Sequence, residues 1–412
     1  MSEFFGSYTL LEQIGVGGMA EVFLARHAGV EGFEKEVVIK RIRPHLSATD
    51  AFVTMFLGEA KLAAQLAHPN IVQIHDLGLI DASYFIAMEY VAGRDMSSIV
   101  PRAKSLDIPF PVEYALKIAS NVCEALFYAH TKTDAHGNPL HIVHRDVSPE
   151  NIRVAWNGNV KILDFGIAKA ATQLHETKAG EVKGKLVYMS PEQVMGKPVD
   201  ARSDVFSLGV VLYEALTGLK LFSGDNDLAI MNNIIDGKIY PPSYFRDDVQ
   251  PEVEAIIMRA LEKDRKKRYQ TAFDMQYDID TFLAGHEFTP SNVHLSNFLK
   301  QLYKEDIQAE QARRSRREPA MTPPKGSRAA SSGKRKAASS GKQSTRERTN
   351  GGVTNHDVVQ VPTNSITVEP DGLFVALSDD QMERLKRLAG RKGEPVDTVA
   401  RDILARFLSL VE

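Results

Sequence analysis

Asp146 and Asn151 stand five residues apart, and a second aspartate, Asp164, follows. Those types at that spacing suit metal-assisted phosphoryl transfer: one carboxylate orients a hydroxyl, while an amide and another carboxylate hold magnesium. They lie in the runs His144-Arg145-Asp146-Val147-Ser148-Pro149-Glu150-Asn151 and Asp164-Phe165-Gly166. Upstream, Ile14-Gly15-Val16-Gly17-Gly18-Met19-Ala20-Glu21-Val22 lies between two apolar runs. Glycines there let backbone N–H groups approach nucleotide phosphates closely. Alone, the glycine pattern is also that of a plain hairpin turn. Lys40 can pair with phosphate oxygens if a carboxylate steadies it, and Glu59 on the next predicted helix is the partner the spacing offers.

The elements that must position these groups follow from periodicity. Tyr8-Thr9-Leu10-Leu11, Val22-Phe23-Leu24-Ala25 and Val37-Val38-Ile39 read as strands, with apolar runs at Ile71–Ile74 and Tyr84–Met88 completing a small β-rich lobe. A helix is expected from near Asp50 through Phe52, Phe56, Glu59 and Ala63 to Pro69. Beyond Gly93 the pattern turns helical over 112–130, 204–217, 226–236, 251–262 and 271–284, with strand-like Ile152–Val154 and Lys161–Leu163 beside the catalytic runs. The fold class is α+β.

Composition bounds the rest. A chain of 412 residues with 43% apolar and 25% charged residues fits a globular protein of roughly two to three domains. The single cysteine, Cys123, rules out an internal disulfide and falls in an apolar helical pattern that buries it. No stretch approaches the roughly 18 continuous apolar residues of a membrane span. The N-terminus lacks the basic and apolar regions of a signal peptide, so a cytoplasmic protein is expected.

Residues 8–285 resemble a bacterial eukaryotic-like (Hanks-type) serine/threonine protein kinase, close to the myxobacterial group. Besides the runs above, the resemblance rests on Ala87-Met88-Glu89-Tyr90-Val91-Ala92-Gly93, Ser190-Pro191-Glu192, Ser203-Asp204 through Gly209, and Arg268. The insert Asp134–Pro139 belongs to it as well. It implies a two-lobed kinase, with a small lobe at 8–92 and a large lobe at 93–285, that uses ATP and Mg2+ on protein substrates. It also implies roles: Asp146 orients the substrate hydroxyl, Asn151 and Asp164 bind magnesium, and Lys40, steadied by Glu59, contacts the α- and β-phosphates. Glu89 and Val91 offer backbone hydrogen bonds to adenine, with Met88 as gatekeeper and Val22 and Val38 above the ring. Asp204 holds the catalytic loop, and Glu192 pairs with Arg268. His68 and His144 are expected to be packing residues.

Four positions depart from that pattern. Ala20 stands where a third glycine is usual. Ser148 replaces a lysine that ordinarily reaches the transferred phosphate, and Lys185 replaces a threonine before the substrate loop. Arg153 occupies the apolar floor under adenine; its stem is expected there and its head in water, with reduced ATP affinity. Arg145, beside Asp146, is expected to await a phosphate on the activation segment, with Thr177 the first candidate and Thr172 the second.

Residues 1–7 read as a tail and 286–304 as a helical extension. From 305 to 365 the chain is rich in Ser, Gly, Lys, Arg and Pro, the composition of a disordered basic linker. Folded patterning returns at 366–412 as a small β-α-α unit resembling a ribbon-helix-helix: a strand at Leu373–Leu377, a helix capped by Ser378-Asp379-Asp380, and a second opened by Pro395. About 40 residues bury too little core alone, so a homodimer through this unit is expected. The strand positions Gly372, Phe374 and Ala376 cannot hydrogen-bond a base, which disfavours nucleic acid as a partner. Rival readings are a weakly active or inactive kinase-fold scaffold and a DNA-binding regulator acting through the C-terminal unit.

Overall fold

The computed structural model describes residues 3–29, 34–43, 46, 47, 49–165, 185–286, 288–317, 365–368 and 373–376, with positions 382, 386, 395, 396 and 398. The chain divides into two compact units, Met1–Thr322 and Pro323–Glu412.

The small lobe is an antiparallel sheet of six strands: β1 (Glu3–Phe5), β2 (Tyr8–Val16), β3 (Ala20–Ala28), β4 (Glu34–Ile42), β5 (Ile74–Ile80) and β6 (Ser83–Glu89), in the order β1-β2-β3-β4-β6-β5. Side chains alternate between its two faces. One face buries Phe5, Leu10, Ala25, Ile39 and Phe85, and the other buries Val38, Ile42, Ile86 and Met88 against Phe56 and Ala60 of helix α1 (Asp50–Ala63). β1 corrects the expectation of a tail at 1–7. Gly6, at φ +57°, turns the chain so that Phe5 is buried edge-on to Phe85 at 5.3 Å.

The large lobe is helical. The strand β7 (Gly93–Asp95) and helix α2 (Met96–Ser105), both unanticipated, follow the hinge; α2 is capped by the Asp95 carboxylate, which accepts from Ser98 N at 3.0 Å. Helix α3 (Val112–His130) is the spine of the lobe, buried over Ala115, Leu116, Ala119, Val122, Cys123 and Leu126. Strands β8 (Ile152–Ala155) and β9 (Val160–Ile162) join β7 in a three-stranded sheet. Helices α4 (Pro191–Val194), α5 (Ala201–Thr217), α6 (Asp227–Asp236), α7 (Pro251–Ala260), α8 (Ala272–Ala284) and α9 (Asn292–Leu302) complete it. The 3.6-residue periodicity located α3 to its ends and α5 to α8 within a few residues.

The chain remains helical past the expected linker boundary at 305, as α10 (Lys304–Arg317). Its composition is polar, but Ile307 is buried, and Glu310 accepts from Tyr90 Oη at 2.9 Å and Trp156 Nε1 at 3.1 Å. These few anchors order a segment that averages as linker. Residues 318–364 lie outside the described residues.

In the second unit, β11 (Leu373–Ala376) is the strand expected at 373–377. It pairs antiparallel with β10 (Ser365–Val368) of the same chain, with Ser365 opposite Ala376 and Val368 opposite Leu373. The expected helices are described only at Met382, Lys386, Val396 and Thr398, each helical.

Candidate active site

Strand register sets the small-lobe wall. Val22 lies opposite Lys40 across β3 and β4, and Val38 opposite Met88 across β4 and β6, so these side chains share one face of the sheet. Lys40 Nζ lies 3.1 Å from Glu59 Oε1 and 3.0 Å from Asp164 Oδ1. Burial alone would push the Lys40 amine toward neutrality, but the two carboxylates raise its pKa above the ordinary lysine value and keep it charged. The expected pair is thus formed, with Asp164 as a third member.

The glycine loop connects β2 and β3, with Gly15 opposite Val22 and a tight turn closed by Gly17 N donating to Ala20 O at 2.9 Å. A Cβ at Gly15 or Gly17 would meet no protein atom closer than 3.6 Å. Packing within the lobe does not demand glycine at these two positions; close approach of a ligand to the backbone would. Ile14 and Val16 are exposed at the rim.

The large-lobe wall is built by β8, β9 and a short 3-10 turn, Pro149–Asn151. Leu163 N donates to Asn151 O at 2.8 Å, and the Asn151 amide nitrogen donates to Asp146 O at 2.7 Å and Asp146 Oδ2 at 3.0 Å. Those bonds turn the amide oxygen away from Asp146. Together with the Asp164 carboxylate, 43% exposed in its side chain, this is a donor set of one amide oxygen and one carboxylate. Mg2+ bound along with substrate phosphates needs no more from the protein. Among the described residues no cluster of three or more His, Cys, Asp or Glu could hold a metal alone. Crowding at the base of the cleft would raise the Asp164 pKa, but Lys40, with help from Lys185, holds it below the ordinary carboxylate value.

Two non-glycine residues here adopt left-handed backbone, Arg145 at φ +65° and Asp164 at φ +38°. Such strain persists only where the surroundings impose it. Asp204, fully buried, accepts from His144 N and Arg145 N, each at 2.8 Å, as the expectation of a loop-holding carboxylate required. Burial opposes its charge, but the hydrogen bond from His130 at 2.7 Å leads the interactions that lower its pKa. His130 was not anticipated, because nothing in its helical surroundings marks it. The two nitrogens of His144 are committed: Nδ1 accepts from Asp146 N at 3.2 Å, so Nε2 donates to Leu163 O at 2.8 Å. Burial lowers its pKa, and it is a packing residue tilted against Phe165. His68 stacks on Tyr128 at 5.0 Å and accepts from Asn70 N at 3.2 Å.

Arg153 corrects an expectation. Its head does not extend to water: Nε donates to Val91 O at 2.7 Å and a terminal nitrogen to Gly93 O at 2.8 Å. The guanidinium cross-links the segment after the gatekeeper, Glu89–Gly93, to β8. Glu89 itself is tied down by Lys161 at 2.8 Å and by its N–H donating to Gln73 O at 2.9 Å.

Lys185 Nζ lies 3.0 Å from Asp146 Oδ2, a contact between a departure from the family pattern and the expected hydroxyl-orienting carboxylate that the sequence did not join. Ser148 is buried, and its hydroxyl has no hydrogen-bond partner among the described residues. The same holds for Arg145 Nε. Gly166, Thr172 and Thr177 lie outside the described residues. Below the site, Glu192 pairs with Arg268 at 2.9 Å, both buried, and accepts from Ser203 Oγ at 2.5 Å.

Comparison with known proteins matches residues 8–277 to the protein kinase domain family. The chain is similar to the tyrosine-protein kinase MasK of Myxococcus xanthus, 46% identical over 311 residues, covering 75% of this chain and 48% of that one. It is also similar to the serine/threonine-protein kinase PknB of Mycolicibacterium smegmatis, 40% identical over 278 residues, covering 66% of this chain and 42% of the relative. The chain thus spans about half the length of the curated relatives it matches. Among solved structures, the PknI kinase domain of Mycobacterium tuberculosis superposes with a TM-score of 0.50 at 28% identity, over 68% of this chain and 97% of that one.

Proposed function

The chain belongs to the protein kinase family, and from that premise we propose that it transfers the γ-phosphoryl group of ATP to serine or threonine hydroxyls of protein substrates. The observation that carries this proposal is the convergence of Lys40, Glu59 and Asp164 with Asp146 and Asn151 around one cleft.

In this reading Lys40, held by Glu59, binds the α- and β-phosphates under the loop of Ile14, Gly15, Val16, Gly17 and Gly18. Val22 and Val38 cover the adenine, the backbone of Glu89 and Val91 binds its edge beside Met88, and the Arg153 stem lies beneath it. Asn151 and Asp164 hold Mg2+, which when bound neutralises phosphate charge. Asp146 aligns the substrate hydroxyl and takes its proton, so catalysis is mostly positioning and electrostatics. Arg145 receives a phosphate on Thr177 or Thr172 of the activation segment.

Tyrosine is the second reading for the acceptor, favoured by the relative named a tyrosine-protein kinase and by the replacements at Ser148 and Lys185. Phosphosite mapping after incubation with ATP and Mg2+ separates the two. Phosphoserine and phosphothreonine, including sites at 166–184, are expected. Phosphotyrosine alone would favour the second reading, and no phosphate at all would sink both.

The kinase region, the tether after it and the unit at 366–412 are proposed as separate parts acting in the cytoplasm. Pairing of that unit between two chains would raise local concentration for trans-autophosphorylation of the tether and the activation segment. Sedimentation of the chain lacking 366–412 should show a monomer where the full chain is a dimer; an unchanged dimer excludes this role.

A further inference from the structure

We infer that Lys185 is a catalytic residue of this kinase: its ammonium contacts the transferred phosphoryl group, supplying from the far end of the activation segment a charge that Ser148 of the catalytic loop cannot. The inference rests on the phosphoryl-transfer reading given above.

The geometry begins with Asp146. Its Oδ2 receives Asn151 Nδ2 and Lys185 Nζ, each at 3.0 Å. A phosphoryl group moving to a hydroxyl aligned by Asp146 must therefore pass beside Lys185. Three carboxylates, Glu59, Asp146 and Asp164, surround that path, and negative charge spreads over the phosphoryl oxygens as transfer proceeds. Lys40 is committed on the opposite wall to Glu59 and Asp164. Within the catalytic loop, Ser148 offers a neutral hydroxyl, and it is only 1% exposed with no hydrogen-bond partner among the described residues. No cation comes from that position.

Lys185 is placed to serve. The residues after it, Leu186, Val187 and Tyr188, are buried, and Tyr188 Oη donates to Glu214 at 2.8 Å. The backbone that carries Lys185 is thus fixed, while its side chain is 42% exposed and opens to the cleft. A lysine kept only to brace the loop would gain little from a half-exposed pair. One that must also meet an incoming anion has to stay accessible.

The step balances without another reactant. The acceptor oxygen attacks the γ-phosphorus, and the bond from that phosphorus to the bridging oxygen breaks with its electron pair leaving on ADP. The acceptor proton passes to Asp146. Lys185 stays protonated throughout and donates a hydrogen bond to a γ-phosphoryl oxygen, stronger as charge develops there.

The test measures the initial autophosphorylation rate of the full chain against MgATP concentration, for wild type, Lys185→Met, Lys185→Arg and Asp146→Asn. Lys185→Met is expected to lower the saturating rate by about 10²–10³-fold while the half-saturating ATP concentration moves less than about threefold. Lys185→Arg, which keeps the charge, is expected to recover at least about tenfold over the methionine variant. Stabilisation by MgADP, read as a shift in Tm, shows that each variant is folded and binds nucleotide. A methionine variant that binds MgADP and keeps the wild-type rate overturns the inference. So does a faster one, which would make the pair a resting-state block, and so does an arginine variant no better than methionine. If wild type and Asp146→Asn incorporate phosphate equally, the kinase reading itself falls and this inference with it; Asp146-dependent transfer indifferent to Lys185 defeats the inference alone.

Discussion

The two walls of the cleft each present a lysine about 3 Å from a carboxylate, and they hold it differently. Lys40 sits in the middle of a sheet, 17% exposed, between Glu59 and Asp164. Lys185 sits on a helical turn, 42% exposed, against Asp146. The small-lobe lysine is fixed by strand register and paired on both sides, which suits the proposed hold on phosphates already bound. The large-lobe lysine is fixed only through its buried neighbours, so its head can follow a group that moves. Salt screens the field of exposed charges beyond about 10 Å at 0.1 M, and that of buried charges much less.

That contrast can be broken at several points. The largest effect is expected from Lys40→Met, which leaves Glu59 and Asp164 facing each other without a cation. The transfer rate should fall by about 10²–10³-fold, and ATP binding should weaken with it, unlike the Lys185 variants. Steady-state rates across ATP concentrations check this; loss of rate with unchanged half-saturation would erase the distinction between the walls.

Arg153→Leu comes next. It removes two charged hydrogen bonds that tie Val91 and Gly93 to β8, a loss of about 1–3 kcal/mol, visible as a lower Tm without nucleotide. An apolar floor should at the same time tighten ATP binding a few-fold. An unchanged affinity by calorimetry would show that the Arg153 stem already serves as well as leucine.

The smallest effect is expected from Glu310→Ala, which frees Tyr90 and Trp156 from α10. About 1 kcal/mol of stability should be lost. Tyr90 lies between the two residues proposed to bind adenine, so the half-saturating ATP concentration should rise about two-fold, an effect of under 1 kcal/mol. Equal Tm and equal ATP dependence would show that α10 does not support the hinge.

The lobes were legible in the sequence because their signals are local. Helix α3 announces itself through apolar spacing, and the catalytic groups through short runs in which residue type and offset are both constrained. The Lys40–Glu59 pair could be inferred because a strand followed by a helix leaves few ways for a lysine and a glutamate to meet. What stayed hidden depends on distant contacts. Lys185 meets Asp146 across 39 positions, and His130 meets Asp204 across 74, with no local pattern to join them. Arg153 was legible as an oddity, but the carbonyls that capture its head, of Val91 and Gly93, lie about 60 positions away in the segment after the gatekeeper. Helix α10 was misjudged for the opposite reason: its average composition is that of a linker, and a few residues, Asp306, Ile307 and Glu310 among them, carry contacts that order it.

The central claim is that this cleft moves phosphate from ATP through Asp146. Incubating the purified full chain with γ-labelled ATP and Mg2+, beside the Asp146→Asn variant, tests it most directly. The wild-type chain is expected to incorporate label at least about 10²-fold faster than the variant, with both stabilised alike by MgADP. Equal incorporation, or none by a wild-type chain that binds nucleotide, would contradict it.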